Sequence, residues 1–230
     1  MRVFAIADLH LSFSSDKPMD VFGETWRNHP ARIEAAWREV VSEDDLILLP
    51  GDMSWAMQPD GARPDLDFIA ALPGEKLLLR GNHDFWWSSP TKLRAMLPDK
   101  MHILQNDAFS YRGITVAGTR GWSCPNSAGF SENDRKIYER ECLRLGLSLD
   151  AAKRFGGTDI VMTHFPPMNE KRQESGFTER IAASGARFAV YGHLHGIALR
   201  FAFEGERDGV SYHCVAADHL DFAPKLILEG

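Results

Sequence analysis

Six short runs of β-branched and aliphatic residues recur along this chain, at positions 3–7, 46–49, 76–79, 114–118, 160–163 and 188–191. Each is too short for a helix and stops at turn-forming residues, which predicts buried strands. Five of the six are followed at once by polar groups of one kind. Asp8-Leu9-His10 ends the first, Gly51-Asp52 the second and Gly81-Asn82-His83-Asp84 the third. His164 ends the fifth, and Gly192-His193-Leu194-His195 follows the sixth, so these ends hold five of the nine histidines. In an open α/β sheet, ligands collect outside the carboxyl ends of the strands, so residues far apart in sequence should meet in one crevice.

Helical patterns fill several of the gaps. In residues 30–41, Ile33, Trp37 and Val40 share a face and Pro30 suits a first turn. Ser89-Pro90 predicts a capped start to a helix over 92–97. Residues 131–155 form the longest candidate, with a break expected near Gly146 and its mixed charges read as a solvated face. Near the end, 197–203 and 210–216 read as an antiparallel hairpin. No linker or repeat divides the chain, so a single domain over 1–230 is expected, with a catalytic core at about 3–196 and a C-terminal hairpin at about 197–216.

Hydrophobic residues at 44% and charged residues at 25% describe an ordinary globular chain rather than a disordered or fibrous one. A formal charge of -6 argues against a basic face that grips long nucleic acid. Cys124, Cys142 and Cys214 have no paired short spacing, so neither a disulfide framework nor a cysteine zinc site is indicated. The first apolar run is cut by Asp8, short of the roughly 7–15 residues of a signal-peptide core. No stretch reaches the ~20 apolar residues of a membrane span. A cytoplasmic protein without membrane contact is the expectation.

Singly, each polar motif is weak. In this order, the blocks Asp8-x-His10, Gly51-Asp52, Gly81-Asn82-His83-Asp84, His164 and Gly192-His193-x-His195 resemble the signature of the calcineurin-like metallophosphoesterase superfamily. The likeness spans about residues 3–196. It implies an α/β fold in which two packed mixed β-sheets are flanked by helices, with two divalent metal ions at the sheet edge. By matched position, Asp8, His10 and His195 would hold one ion, Asn82, His164 and His193 the other, and Asp52 would bridge them. That oxygen and nitrogen set suits Mn, Fe, Zn or Ni. A bridging carboxylate holds two cations at about 3.5–4 Å, where a water they share is acidified toward neutral pH and attacks phosphorus as hydroxide. His83 would stabilise the transition state and protonate the leaving oxygen, with Asp84 hydrogen-bonded to it and raising its pKa. Two such ions would move the formal charge to about -2, so an acidic chain can present a cationic mouth.

The resemblance implies a small-molecule phosphate ester as substrate, with a phosphodiester or nucleotide preferred. A nuclease on short single strands, a phosphomonoesterase or pyrophosphohydrolase, and a non-catalytic binding scaffold are the alternatives. Arg120, at a strand end, is the best cationic candidate for a phosphate contact, against a structural ion pair. Trp55, Trp86 and Trp122 follow strand ends and would wall a pocket or stack a base, against packing that shields the ligands. The 11–29 segment, with Phe13, Phe22 and Trp26, reads as a lid. Arg80 pairs with a buried carboxylate on this reading, and Asp218, His213 and His219 are structural. The Gly51-Asp52-Met53-Ser54-Trp55 run lacks the arginine that follows this block in Ser/Thr protein phosphatases. The pattern is closer to small bacterial phosphohydrolases rich in tryptophan.

Overall fold

A computed structural model describes residues 1–229. Every predicted apolar run is a strand, and the strands form two sheets. In the first, β1 (Arg2–Ala5), β2 (Leu46–Leu49), β3 (Glu75–Leu79) and β4 (Met101–Leu104) run parallel in that order, and β11 (Lys225–Glu229) pairs antiparallel on the far side of β1. The second has the order β5 (Ala108–Tyr111), β6 (Ile114–Thr119), β7 (Ile160–Thr163), β8 (Phe188–Tyr191), β10 (Val210–Cys214), β9 (Gly205–Arg207). Its four inner strands are parallel and its two edge strands antiparallel.

Side-chain alternation explains why the runs are apolar throughout. Val3, Ala5, Leu46 and Leu48 point inward and meet Val116, Ile160, Met162 and Val190 of the opposite sheet. Phe4, Ile47 and Leu49 point the other way, beneath Ile33 and Trp37 of α1 (His29–Val40) and Leu66 and Ile69 of α2 (Pro59–Ala70). Leu93 of α3 (Pro90–Met96) joins this layer. Behind the second sheet, Cys142 and Leu145 of α4 (Glu132–Ala152) pack with Phe177 and Ile181 of α5 (Gly176–Ala183). The result is a helix, sheet, sheet, helix sandwich.

Four expectations need correction. Residues Gly196–Phe201 form 3-10 turns rather than a strand, and the hairpin is β9 with β10. Its turn is Asp208-Gly209, both at positive φ, the two-residue geometry that fits strand twist. Helix α4 runs unbroken through Gly146, where the helix surface is open and the glycine costs only propensity. Nor is its charged face all solvated: Glu141 is fully buried, accepting from Thr119 Oγ1 at 2.6 Å and Arg144 Nη1 at 2.7 Å. Ser131 does start α4 with a capping box closed by Asp134, whereas Ser89 precedes Pro90 without a side-chain cap bond.

Because the inner strands share one direction, their carboxyl ends open on one edge. There the sheets are stitched together: Ala7 N–H donates to Val215 O (2.7 Å) and Ala217 N–H to Ala7 O (3.0 Å). Among the described residues no helix is long and apolar enough to cross a membrane.

Candidate metal centre

The loops leaving β1, β2, β3, β7 and β8 turn sharply over this edge. Asp8, His10, Asp52 and His193 have positive φ (60°, 45°, 56° and 73°), a cost that non-glycine residues carry mainly where side chains must be aimed. Glycines provide the room. A Cβ on Gly51 would lie 2.6 Å from His164 Nδ1, and one on Gly81 would overlap the Asp52 carboxylate. Gly81→Ala is therefore expected to lower the thermal midpoint by several degrees in circular-dichroism melting; an unchanged midpoint would show that the loop can shift.

All seven residues predicted as ligands come together. Asp8, His10 and His195 offer ligand atoms within 4.8 Å of one another, and so do Asp8, Asp52 and His164. Asn82 Oδ1 lies 2.7 Å from His164 Nε2 and 2.9 Å from His193 Nδ1. Asp52 Oδ2 sits between the halves, 3.4 Å from His164 Nε2 and 3.9 Å from His10 Nε2. Tautomers sharpen this picture. His164 Nδ1 faces the Pro50 carbonyl at 2.9 Å and must donate to it, and burial lowers the ring's pKa. A neutral His164 then turns the Nε2 lone pair toward the Asn82 and Asp52 oxygens. Likewise His195 Nδ1 faces Asp218 Oδ1 at 2.8 Å, while its Nε2 and Asp8 Oδ1 are buried with no hydrogen-bond partner among the described residues. Acceptors converging on acceptors fit cations between them.

Electrostatics agree. Burial lowers the pKa of His10 and carries His193 down to about 3, with His164 adding to the latter, so both present neutral imidazoles, the ligating form. Burial and the neighbouring Asp8 charge raise Asp52. Asp8 goes the other way: burial opposes ionisation, but His195, His164 and His10 outweigh it. His195 is pulled down by burial, yet Asp8 and Asp218 override this and hold it at about 10. Without cations the site keeps protons in their place.

Asp84 requires a correction. Its carboxylate accepts from the backbone N–H groups of Asp52 (2.8 Å), Met53 (3.0 Å), Ser54 (3.3 Å) and Gly81 (2.8 Å) and from Trp86 Nε1 (3.0 Å). None of its bonds reaches the His83 ring. Asp84 instead ties the β2 and β3 loops together, although burial and Asp52 push it up to about 6. Truncating it strands several buried donors, so Asp84→Ala is expected to lose at least about 3 kcal/mol in urea unfolding. A loss below about 1 kcal/mol would mean that water replaces the carboxylate.

His83 donates its backbone N–H to Asp52 Oδ1 (2.8 Å), and its ring packs 4.5 Å from Trp55, centroid to centroid. Burial, then His164, lowers its pKa, contrary to the expected rise. Trp55 also stacks on His10 at 4.8 Å. With Met19, Trp26, His83 and His195 these rings line an open cavity of about 400 Å³. Trp86 does not reach it: the ring is buried in the core and serves Asp84. Trp122 is also set back, donating to Asp134 Oδ1 (2.9 Å) and packing on Phe165, which in turn covers His193. Arg120 lies over Trp122 and 3.7 Å from Glu141, and Arg80 has no salt bridge among the described residues. The lid reading of 11–29 becomes two 3-10 turns that place Trp26 edge-on to His10 and His195. Asp218, read as structural, is the orienting partner of His195. Its distance in sequence from that histidine left no motif to find it by.

A family model described as calcineurin-like phosphoesterase matches residues 1–196. The Gene 66 protein of Mycobacterium phage L5 is 24% identical over 189 residues, 82% of this chain and 75% of that protein. Its counterpart in Mycobacterium phage D29 is 24% identical over 210 residues, 90% of this chain and 84% of that one. Two crystal structures share the fold at low identity. Phosphopantetheinyl hydrolase (PptH) from Mycobacterium tuberculosis gives a TM-score of 0.58 at 14% identity, covering 100% of this chain and 96% of that one. AQ665, a protein of unknown function from Aquifex aeolicus, gives 0.53 at 15%, covering 98% and 95%. With its strand-end residues gathered at one edge of a two-sheet sandwich and 196 residues matched, the chain belongs to the calcineurin-like phosphoesterases, metal-dependent hydrolases of phosphate ester bonds.

Proposed function

We propose that the chain is a dinuclear phosphoesterase acting on a small phosphate ester, with Asp8, His10 and His195 holding one ion, Asn82, His164 and His193 the other, and Asp52 shared. The observation that carries this is the facing of candidate ligand atoms, Asp8 Oδ1 against His195 Nε2 and Asn82 Oδ1 against His164 Nε2, with Asp52 between. Bound there, two divalent ions supply Lewis-acid chemistry, neutralising phosphoryl oxygens and acidifying a water. Pro50 and Asp218 fix the tautomers of His164 and His195 so that Nε2 faces inward. Asp84 holds the Asp52 backbone in its left-handed turn. His83 borders the cavity without contacting Asn82, His164 or His193 through a hydrogen bond, and it supplies the proton for the leaving oxygen. Rings of Trp26 and Trp55 exclude water from one side and favour an ester arm with an apolar or aromatic body, as in a nucleotide-like diester.

The test is a screen of metal-reconstituted protein against phosphomonoesters, diesters, nucleotides and pyrophosphates. Hydrolysis of a small diester with two metals per chain is expected; no hydrolysis of any ester at full metal load would sink the reading. A thermodynamic check is independent of turnover. His195 and Asp52, both raised, carry protons near neutral pH and must release them to ligate, so divalent-ion affinity is expected to tighten as pH rises. Calorimetry in buffers of different ionisation enthalpy should show net proton release, and a pH-independent affinity would contradict it.

A further inference from the structure

Beside the metal centre lies a second polar site with an unbalanced charge. A cavity of about 70 Å³ opens between the ends of β3, β4 and β6 and the side of α4. Its charged lining is Arg80, Arg120, Arg144 and Glu141, three guanidinium groups against one carboxylate. Glu141 is already engaged within the lining, one oxygen accepting from Thr119 and the other from Arg144, so its charge is matched by Arg144 and Arg80 has no counter-charge there. Arg120 comes no closer to it than 3.7 Å. The Nε atoms of Arg80 and Arg120 are both buried and have no hydrogen-bond partner among the described residues. Gln105 adds to the imbalance, since its carbonyl oxygen already accepts from Trp87 Nε1 at 2.7 Å and its remaining polar group is a donor.

Buried donors and unpaired cations are costly unless something accepts from them. Planar guanidinium forks match carboxylates and tetrahedral oxyanions, and beside a phosphoesterase centre the tetrahedral phosphoryl group is the one at hand. The cavity also touches the catalytic edge. Arg80 immediately precedes Gly81-Asn82, and the Arg120 carbonyl accepts from the backbone N–H groups of His164 (3.0 Å) and Phe165 (2.9 Å). Trp122 covers one face of the Arg120 guanidinium at 4.7 Å, which leaves its edge for the cavity.

We propose that this cavity is an oxyanion site whose occupant is a second phosphoryl group of the substrate or free inorganic phosphate. The substrate-borne form rests on the phosphoesterase reading above, and it narrows the substrate to an ester carrying a further phosphate. The free-anion form does not depend on that reading.

The test uses full-length, metal-loaded protein. Sulfate, as a tetrahedral oxyanion, is titrated by calorimetry into wild type, Arg80→Gln and Arg80→Lys. Wild type is expected to bind it, Arg80→Gln to bind about tenfold or more weakly, and Arg80→Lys to recover part of the loss. No binding in wild type, or equal binding in all three, overturns the site. If Arg80→Gln melts early, Arg120→Lys gives the same answer, because it keeps the charge and loses the fork.

Kinetics then separate the sources. Two chromogenic diesters are compared, thymidine 5′-(p-nitrophenyl phosphate) with a free 3′-hydroxyl and the same compound with a 3′-phosphate. A substrate-borne oxyanion predicts about tenfold higher kcat/KM for the 3′-phosphorylated ester, an advantage that Arg80→Gln removes. If wild type treats the two esters alike while sulfate binding still depends on Arg80, the occupant is the free anion and the site stands. If neither ester is hydrolysed, the diester preference fails by itself, and the sulfate titration still decides the cavity.

Discussion

Asp52→Asn is expected to leave at most one metal ion per chain and to cut turnover by more than about a hundredfold. The substitution is nearly isosteric, so geometry is not what it removes. Asp52 Oδ1 can still be represented by the amide oxygen, which keeps the 2.8 Å bond from the His83 backbone N–H. What changes is the second atom, which lies 3.4 Å from His164 Nε2 and 3.9 Å from His10 Nε2. A neutral amide there offers no shared negative charge to two cations. Stability should move in opposite directions in the two states of the protein. Burial and Asp8 raise the Asp52 pKa in the metal-free fold, so the folded state is penalised as pH rises and this carboxyl must ionise. A neutral asparagine has no such penalty, and the metal-free variant should be at least as stable as wild type at alkaline pH. With metal present the order reverses, because only wild type gains the full stabilisation of two bound ions. Metal analysis and melting with and without chelator measure all of this. Two ions retained at wild-type affinity would remove Asp52 from the shared position.

How much of this was legible beforehand depended on whether partners lie close in sequence. Asp8 with His10, and His193 with His195, sit beside the strands that position them, so short motifs carried the whole constellation across five separate strand ends. Unbroken apolar runs likewise exposed the buried strands, since Phe4 and Val3 are both apolar for different layers. What escaped was long-range or context-dependent. Asp218 lies 23 residues beyond His195, with no pattern linking them. Asp84 adjoins His83 in sequence, and adjacency suggested contact, but neighbours in a tight loop point apart and its carboxylate turns to the backbone instead. Helix α2 was hidden by Gly61 and Pro64, whose local preferences oppose a helix even though Pro59 suits its first turn; burial of Ala62, Leu66 and Ile69 overrides them. Trp55 and Trp86 both follow catalytic loops, and only the packing separates a wall of the cavity from a core ring.

His83→Ala is expected to lower turnover by about a hundredfold or more while metal content stays at two per chain. The division of labour between His83 and Asp84 makes this prediction sharp. Had Asp84 oriented the ring, removing either residue would have produced similar kinetics. In this structure Asp84 bonds to five donors around the loop and none of them is the imidazole. The ring is instead kept in place by Trp55 at 4.5 Å and His10 at 5.7 Å, over the open cavity. Deleting it removes the proposed proton donor from the cavity side and leaves every backbone bond of the loop intact. Melting should therefore be close to wild type for His83→Ala and clearly lowered for Asp84→Ala. Burial and His164 lower the His83 pKa, so the ring is neutral at physiological pH until an anionic substrate arrives and favours its protonation. An ester with a good leaving group, such as p-nitrophenolate, needs no proton, so the defect should shrink for it and grow for an alkoxide leaving group. An equal loss on both esters would assign His83 to charge stabilisation rather than proton transfer, and a loss of metal would make it a ligand.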